Sequence, residues 1–230
     1  MTEKNNDFDN TRLYPKKLRN VLKKKNRYVS NLINKGRIDM SSIKYHGIFL
    51  TFFGCGKWKY GPGTLTSFVT TAIWLFASYQ FFLNGVSTTT ETVIWTSAST
   101  IMFFYGVYII PFYSKFIGEE DHPSIVLDEV MGQLVALSLT YPFIKPYYFG
   151  LVNTKISFLT IISHISFCFL LFRFLDIAKP SFIGKVDHEV KGGIGVMLDD
   201  LICGIVSGIC GIALILVLEN YFVVLNPVLD

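Results

Sequence analysis

Two pairs of adjacent carboxylates, Asp128-Glu129 and Asp199-Asp200, are the groups in this 230-residue chain best suited to chemistry. Each pair opens an apolar stretch of helical length, where the positive end of the helix would favour a carboxylate. First-turn capping in contact with solvent explains such a pair equally well. Brought together, four carboxylates repel one another unless protons or a divalent cation neutralise them. Oxygen ligation with retained water suits Mg2+. Adjacent residues diverge by about 100° on a helix, so a pair aims both groups at one ion only if its backbone bends.

Cations and glycines supply the other half of a possible site. Arg173, Asp176 and Lys179 recur at i, i+3 and i+6, on one helical side, before Pro180 ends the helix. Arg173 can grip a phosphate bidentately and Lys179 offers a point charge. The alternative is an Arg–Asp pair with a lysine snorkelling to the membrane interface. Residues 54–67, GCGKWKYGPGTLTS, form a glycine-rich basic stretch without Walker spacing. Its backbone N–H groups and a lysine could cradle a phosphate, or its glycines could simply make a tight turn into a helix. Gly192, Gly193 and Gly195 precede Asp199-Asp200 within Lys191–Asp200. His122 stands just ahead of the Asp128 segment, whereas His164 lies mid-way along an apolar run and is read as a bond across helices. No HExxH or similar spacing occurs, which argues against zinc hydrolysis.

The elements that must hold these residues are membrane helices. Mean hydropathy is +0.43 and only 17% of residues are charged, where a soluble domain carries about 25%. Apolar stretches near spanning length run over 65–83, 93–110, 125–144, 156–175 and 196–218. The expected fold is therefore all-α, a polytopic integral-membrane bundle of about five apolar segments. The four cysteines, Cys55, Cys168, Cys203 and Cys210, form no CxxC and read as small buried hydrophobes.

Charge divides the chain into two parts. Residues 1–45 hold 12 Lys/Arg against 4 Asp/Glu, while residues 46–230 are net acidic. The first part is a basic arm, partly disordered or amphipathic, whose expected partner is an anionic lipid surface rather than nucleic acid. The second is the membrane-embedded part. With the arm inside, segments 54–64, 113–124 and 176–195 also fall inside, and lysines are more frequent there than in 84–92 and 145–155. Every suspicious polar group then lies at one membrane face.

Four stretches together resemble the phosphatidylglycerophosphatase A family: GPGTLTS at 61–67, HPSIVLDEVMGQ at 122–133, FRFLDIAKP at 172–180 and VKGGIGVMLDDLICG at 190–204. The resemblance covers most of 50–218. It implies a Mg2+-dependent lipid phosphatase of the bacterial cytoplasmic (inner) membrane, its active face cytoplasmic, converting phosphatidylglycerophosphate to phosphatidylglycerol and phosphate. It carries Gly61, Pro62, Gly63 and Thr64 over to a proline–glycine–threonine loop, and Asp128, Glu129 and Gly132 to a D-E-x-x-G segment. Arg173, Asp176, Lys179 and Pro180 match a further segment, as do Gly192, Gly193, Gly195, Asp199 and Asp200. Cys55 stands where the family usually has a small residue, Gln133 where methionine is common, and the basic arm exceeds the family's short N-terminus.

The expected site has Asp128, Glu129, Asp199 and Asp200 as metal ligands, and Asp128, Asp176, Asp199, Arg173 and Lys179 as catalytic groups. Gly61, Gly63, Thr64, His122, Gly192 and Gly193 are expected to bind substrate, a membrane phospholipid. The rivals are a transporter and a phospholipid-modifying transferase. A transporter would place ionisable groups near mid-membrane and often shows related halves; here the acids cluster at segment ends and no repeat is visible.

Overall fold

Proline, glycine and serine mark where the helices begin and end. The computed structural model describes residues 40–118, 122–148 and 154–225. Most of the basic arm expected over 1–45 lies outside them. Helix α1 spans Met40–Leu50 and leads into a short 3-10 segment, Phe52–Lys57. Helix α2, Pro62–Leu83, starts on Gly61, whose φ of 63° suits glycine, with proline in its first turn. Helix α3, Thr88–Ile117, is capped by Ser87, which accepts the Thr90 N–H, and stops at Gly118 with a φ of 99°. Helices α4, Leu127–Tyr148, and α5, Thr154–Ala178, follow. Pro180 ends α5 as expected. Beyond it the segment 176–195 contains a further helix, α6, Ser181–Glu189, before α7, Gly193–Leu225. No strand occurs among the described residues.

Four of these helices are long and apolar enough to cross a membrane: Pro62–Leu83, Thr88–Ile117, Thr160–Ala178 and Gly193–Leu218. The remaining expected segment, 125–144, became α4, and its position explains why it is less apolar. It packs against α2, α3, α5 and α7. Val130, Met131, Leu134, Leu137, Tyr141 and Ile144 are buried along it, but so are Gln133, Ser138 and Thr140. A helix wrapped by others needs no continuous lipid-facing surface. Its hydroxyls bond back to its own turns, Ser138 to the Leu134 carbonyl at 2.6 Å and Thr140 to the Leu137 carbonyl at 3.0 Å.

The large apolar side chains mostly face outward, as in a bundle solvated by lipid. Phe68, Phe76, Ile101, Phe104, Leu170 and Ile209 are exposed, while polar Thr66, Ser67, Thr70 and Ser207 are buried inside beside apolar residues such as Trp74 and Leu137. The closest packing joins α4 to α7. A Cβ on Gly204 would collide with the Gly132 carbonyl, and one on Gly132 would come within 2.6 Å of both the Asp200 carbonyl and the Phe172 ring. Gly208 and Gly211 continue the same contact against Leu139 and Thr140, and Gly211 also meets Cys168 on α5. His164 bonds across to α4 as expected, with Nε2 2.9 Å from the Thr140 hydroxyl. All four cysteines are free, Cys168 and Cys203 buried and the other two half-buried.

The bundle alternates in direction, so the starts of α2, α4 and α7 meet the end of α5 at one end. The opposite end is closed by a buried ionic cluster around Glu91, which is fully buried. The Tyr141 hydroxyl donates to one Glu91 oxygen, and Trp95 Nε1 lies 3.5 Å from the other. Lys145 sits 3.8 Å from Glu91 and donates to the Val86 carbonyl at 3.0 Å, tying α3 and α4 to the turn between α2 and α3.

Two outcomes follow for unfolding in detergent micelles. Gly204→Val should destabilise the protein by about 1–3 kcal/mol through overpacking against α4, whereas lipid-facing Ile209→Ala should shift stability by less than about 0.5 kcal/mol. Glu91→Ala leaves Lys145 without its counter-charge and should cost about 3 kcal/mol. A loss no larger than that of Ile209→Ala would contradict either reading.

Candidate active site

The carboxylates are drawn inward by their neighbours. Ile125, Val126 and Leu127 are all buried, and the Val126 N–H bonds to the Leu50 carbonyl at 2.9 Å. The first turn of α4 is thereby pressed into the bundle, and Asp128 is buried with it. On α7, Met197 is buried just before Asp199 and Asp200, which are both buried too. Asp128, Glu129 and Asp200 each present a carboxylate oxygen within 4.8 Å of the others. Both members of the α4 pair thus bring an oxygen to one point.

Asp199 and Asp200 diverge as adjacent helical residues must, and so take different partners. Lys179 Nζ donates to Asp199 Oδ2 at 2.7 Å, while Asp199 Oδ1 accepts the Asp200 N–H at 3.0 Å. Asp200 instead faces Asp128 and Glu129. The four expected metal ligands are therefore brought to one place, but Asp199 is committed to a lysine and three carboxylates converge.

The end of α5 delivers the cations. Arg173 Nη1 lies 2.5 Å from Asp176 Oδ2, the i, i+3 pair expected from spacing. The Lys179 N–H closes the last turn on the Leu175 carbonyl at 2.8 Å, and Lys179 itself adopts a φ of 40°. That left-handed conformation costs a non-glycine residue about 1 kcal/mol. It turns the chain sharply before Pro180, and the Lys179–Asp199 ion pair holds the side chain in place.

These groups line a cavity of about 370 Å³ together with Gly61, Pro62, Gly63 and Thr64 from the start of α2. Five carboxylates and two cations face it. With all of them ionised, three negative charges remain uncompensated, which favours a bound cation over close-packed acids alone. Gly63 is where α2 approaches closest: a Cβ there would collide with Glu129 and come within 3.0 Å of the Arg173 guanidinium. The first-turn N–H groups of α2 have no side-chain cap, leaving donors that suit an anion.

Three expected substrate-binding residues lie outside this lining. Gly193 is buried where a Cβ would strike the Val107 carbonyl, so its role is close packing of α7 on α3. Gly192 is exposed with a φ of 78°, and makes the turn into α7. His122 lines an adjoining cavity with Lys57 and Lys59. The buried polar strip beneath the site was not foreseen. Gln133, one turn deeper than Glu129, has both amide atoms unpartnered among the described residues, as have the hydroxyls of Thr66, Ser67 and Thr70 on α2. The signal was present in α2, where polar residues recur along one helical face.

A family model described as phosphatidylglycerophosphatase A matches residues 48–215. The chain is 28% identical over 178 residues to phosphatidylglycerophosphatase A of Escherichia coli K12, covering 76% of this chain and 85% of the relative. It is 29% identical over 153 residues to phosphatidylglycerophosphatase A of Haemophilus influenzae, covering 66% and 78% respectively. A Bacteroides thetaiotaomicron protein, provisionally named a phosphatidylinositol-3-phosphatase, is 29% identical over 159 residues, covering 68% of this chain and 85% of its own length. No solved structure matches. With four apolar helices and a family match across most of its length, the chain belongs to the phosphatidylglycerophosphatase A family and is a membrane phosphatase.

Proposed function

We propose that the chain hydrolyses the terminal phosphomonoester of phosphatidylglycerophosphate, giving phosphatidylglycerol and phosphate, and that it does so with Mg2+. The observation that carries this reading is the convergence of Asp128, Glu129 and Asp200 beside Arg173 and the uncapped start of α2. The three carboxylates fit a hard cation: their oxygens lie within 4.8 Å of one another, and Asp128 Oδ1 and Glu129 Oε2 are buried without hydrogen-bond partners among the described residues. Held there, Mg2+ would supply charge neutralisation and Lewis-acid polarisation of the phosphoryl group.

The chain's own groups account for the rest. Arg173, oriented by Asp176, offers a planar fork to the phosphoryl oxygens. Lys179, oriented by Asp199, adds a point charge. The N–H groups of Gly63 and Thr64 face developing negative charge at the positive end of α2. In the net reaction water gives its oxygen to phosphorus, the bond from phosphorus to the glycerol oxygen breaks, and that oxygen leaves with a proton. Ile177 both lines the cavity and is 71% exposed on the outer surface. A lipid could therefore present its headgroup here while its acyl chains stay in the bilayer.

The site end of the bundle carries Lys57, Lys59, Lys115, Lys179, Lys185 and Lys191, against Lys145 and Lys155 at the other. The bias supports a cytoplasmic active face, and the bacterial relatives support the inner membrane. Residue placement also disfavours a transporter, because the ionisable groups gather at the bundle ends.

Purified protein in mixed micelles should release phosphate from phosphatidylglycerophosphate with Mg2+ and stop when EDTA is added. Asp128→Asn and Asp200→Asn should each lower kcat at least about 100-fold, and Arg173→Lys should do likewise because a lysine cannot replace the fork. Activity that survives EDTA and both carboxylate substitutions would overturn the metal-site reading.

A further inference from the structure

The buried polar strip beneath the carboxylates takes no part in the proposed chemistry. Thr66, Ser67 and Thr70 on α2 and Gln133 on α4 are all buried. The three hydroxyls and both amide atoms of Gln133 have no hydrogen-bond partner among the described residues. Other hydroxyls in the bundle are satisfied locally, by donating to the carbonyl one turn back. Thr71 donates to Ser67 at 2.8 Å, Ser99 to Trp95 at 3.0 Å and Ser138 to Leu134 at 2.6 Å. Thr66, Ser67 and Thr70 leave that bond unmade. In a bundle surrounded by hydrocarbon an unsatisfied polar atom is costly, so these side chains need a partner other than their own helix.

Two contacts fix where they stand. Gly63, in the first turn of α2, abuts Glu129 on α4, and farther along Trp74 meets Tyr141 edge to face with ring centroids 5.6 Å apart. The two helices therefore run parallel and in step. Thr66 and Ser67 follow Gly63 by one turn, and Gln133 follows Glu129 by one turn. They share a level and a side of the interface, just beneath the carboxylates. Thr70 continues the same face of α2 one turn deeper.

The chemistry of these atoms selects the ligand. The hydroxyl oxygens and Gln133 Oε1 accept hydrogen bonds, while the hydroxyl protons and Gln133 Nε2 donate them. A cation would satisfy only the acceptors and an anion only the donors. Water does both, and it needs two to four polar partners, which the facing side chains supply. We propose that the α2–α4 interface beneath Glu129 is a binding site for water, the second substrate of the hydrolysis. For that role the inference rests on the proposed phosphatase reaction and deepens it. The lipid headgroup fills the cavity from its mouth, whereas this water is held one turn deeper, inside the bundle.

The test is hydroxyl-radical footprinting by X-ray radiolysis of the purified protein in lipid nanodiscs, which oxidises side chains beside bound water even where bulk water does not reach. Trp74, fully buried one turn beyond Thr70, is the reporter. It should be oxidised in the wild type, and on the order of tenfold more slowly in Thr66→Val/Thr70→Val/Gln133→Leu, because an apolar pocket stays dry. Thr66→Ser/Thr70→Ser, which keeps the hydroxyls, should retain the wild-type rate. A wild-type Trp74 that resists oxidation, or an equal rate in the apolar variant, overturns the water site. Thermal unfolding of Thr70→Val alone gives a second reading. Its midpoint should fall if the hydroxyl holds water; an equal or higher midpoint, as when an unsatisfied hydroxyl is removed, also overturns the site. For the substrate role, the apolar variant should lower kcat on the order of 100-fold, the cost of misplacing a reactant, with KM little changed. An unchanged kcat overturns that role. If the footprint showed the water yet the wild type released no phosphate from phosphatidylglycerophosphate, the assigned reaction would fail and the water site would stand.

Discussion

The structure turns on the burial of three convergent carboxylates where α4 meets α7. Acids this close and this dry are unfavourable unless opposite charge comes to them. Almost every other feature at that end of the bundle supplies or fixes such charge. The last turns of α5 bring Arg173 and Lys179, each held by its own aspartate. The start of α2 brings backbone donors, and Gly63 lets them come up against Glu129 and Arg173. Gly132 and Gly204 allow α4 and α7 to touch closely enough for Asp128 and Asp200 to meet at all.

The far end of the bundle solves the same problem in a closed form. Glu91 is satisfied by Tyr141, Trp95 and Lys145. At the site end, Asp128 and Glu129 each keep a buried oxygen unpartnered among the described residues, and a cavity adjoins them. One cluster is closed as a structural lock; the other leaves carboxylate oxygens facing open space.

Much of this was legible in the chain because membrane solvation simplifies the reading. Apolar stretches marked the helices, and acids at their starts marked one end of the bundle. The Arg173–Asp176 pair followed from i, i+3 spacing. What escaped the sequence depended on tertiary packing. The 125–144 segment looks like a fifth lipid-facing span, yet it is the wrapped central helix, whose polar residues are tolerated because other helices cover them. Adjacent Asp199 and Asp200 look equivalent, and only the position of Lys179 divides their roles. The glycines before them suggested contact with a headgroup, but Gly193 serves helix packing and Gly192 a turn. Glu91 showed no sign of its importance, since its partners lie on other turns and another helix.

The most direct measurement is metal binding itself, separate from turnover. Mn2+ can be titrated into the purified protein and followed by electron paramagnetic resonance, with Mg2+ as competitor. Wild-type protein should bind Mn2+ saturably and release it to Mg2+, whereas Glu129→Gln and Asp200→Asn should each weaken binding at least about tenfold. Binding of equal strength in wild type and in both variants would show that the converging carboxylates do not form the metal site.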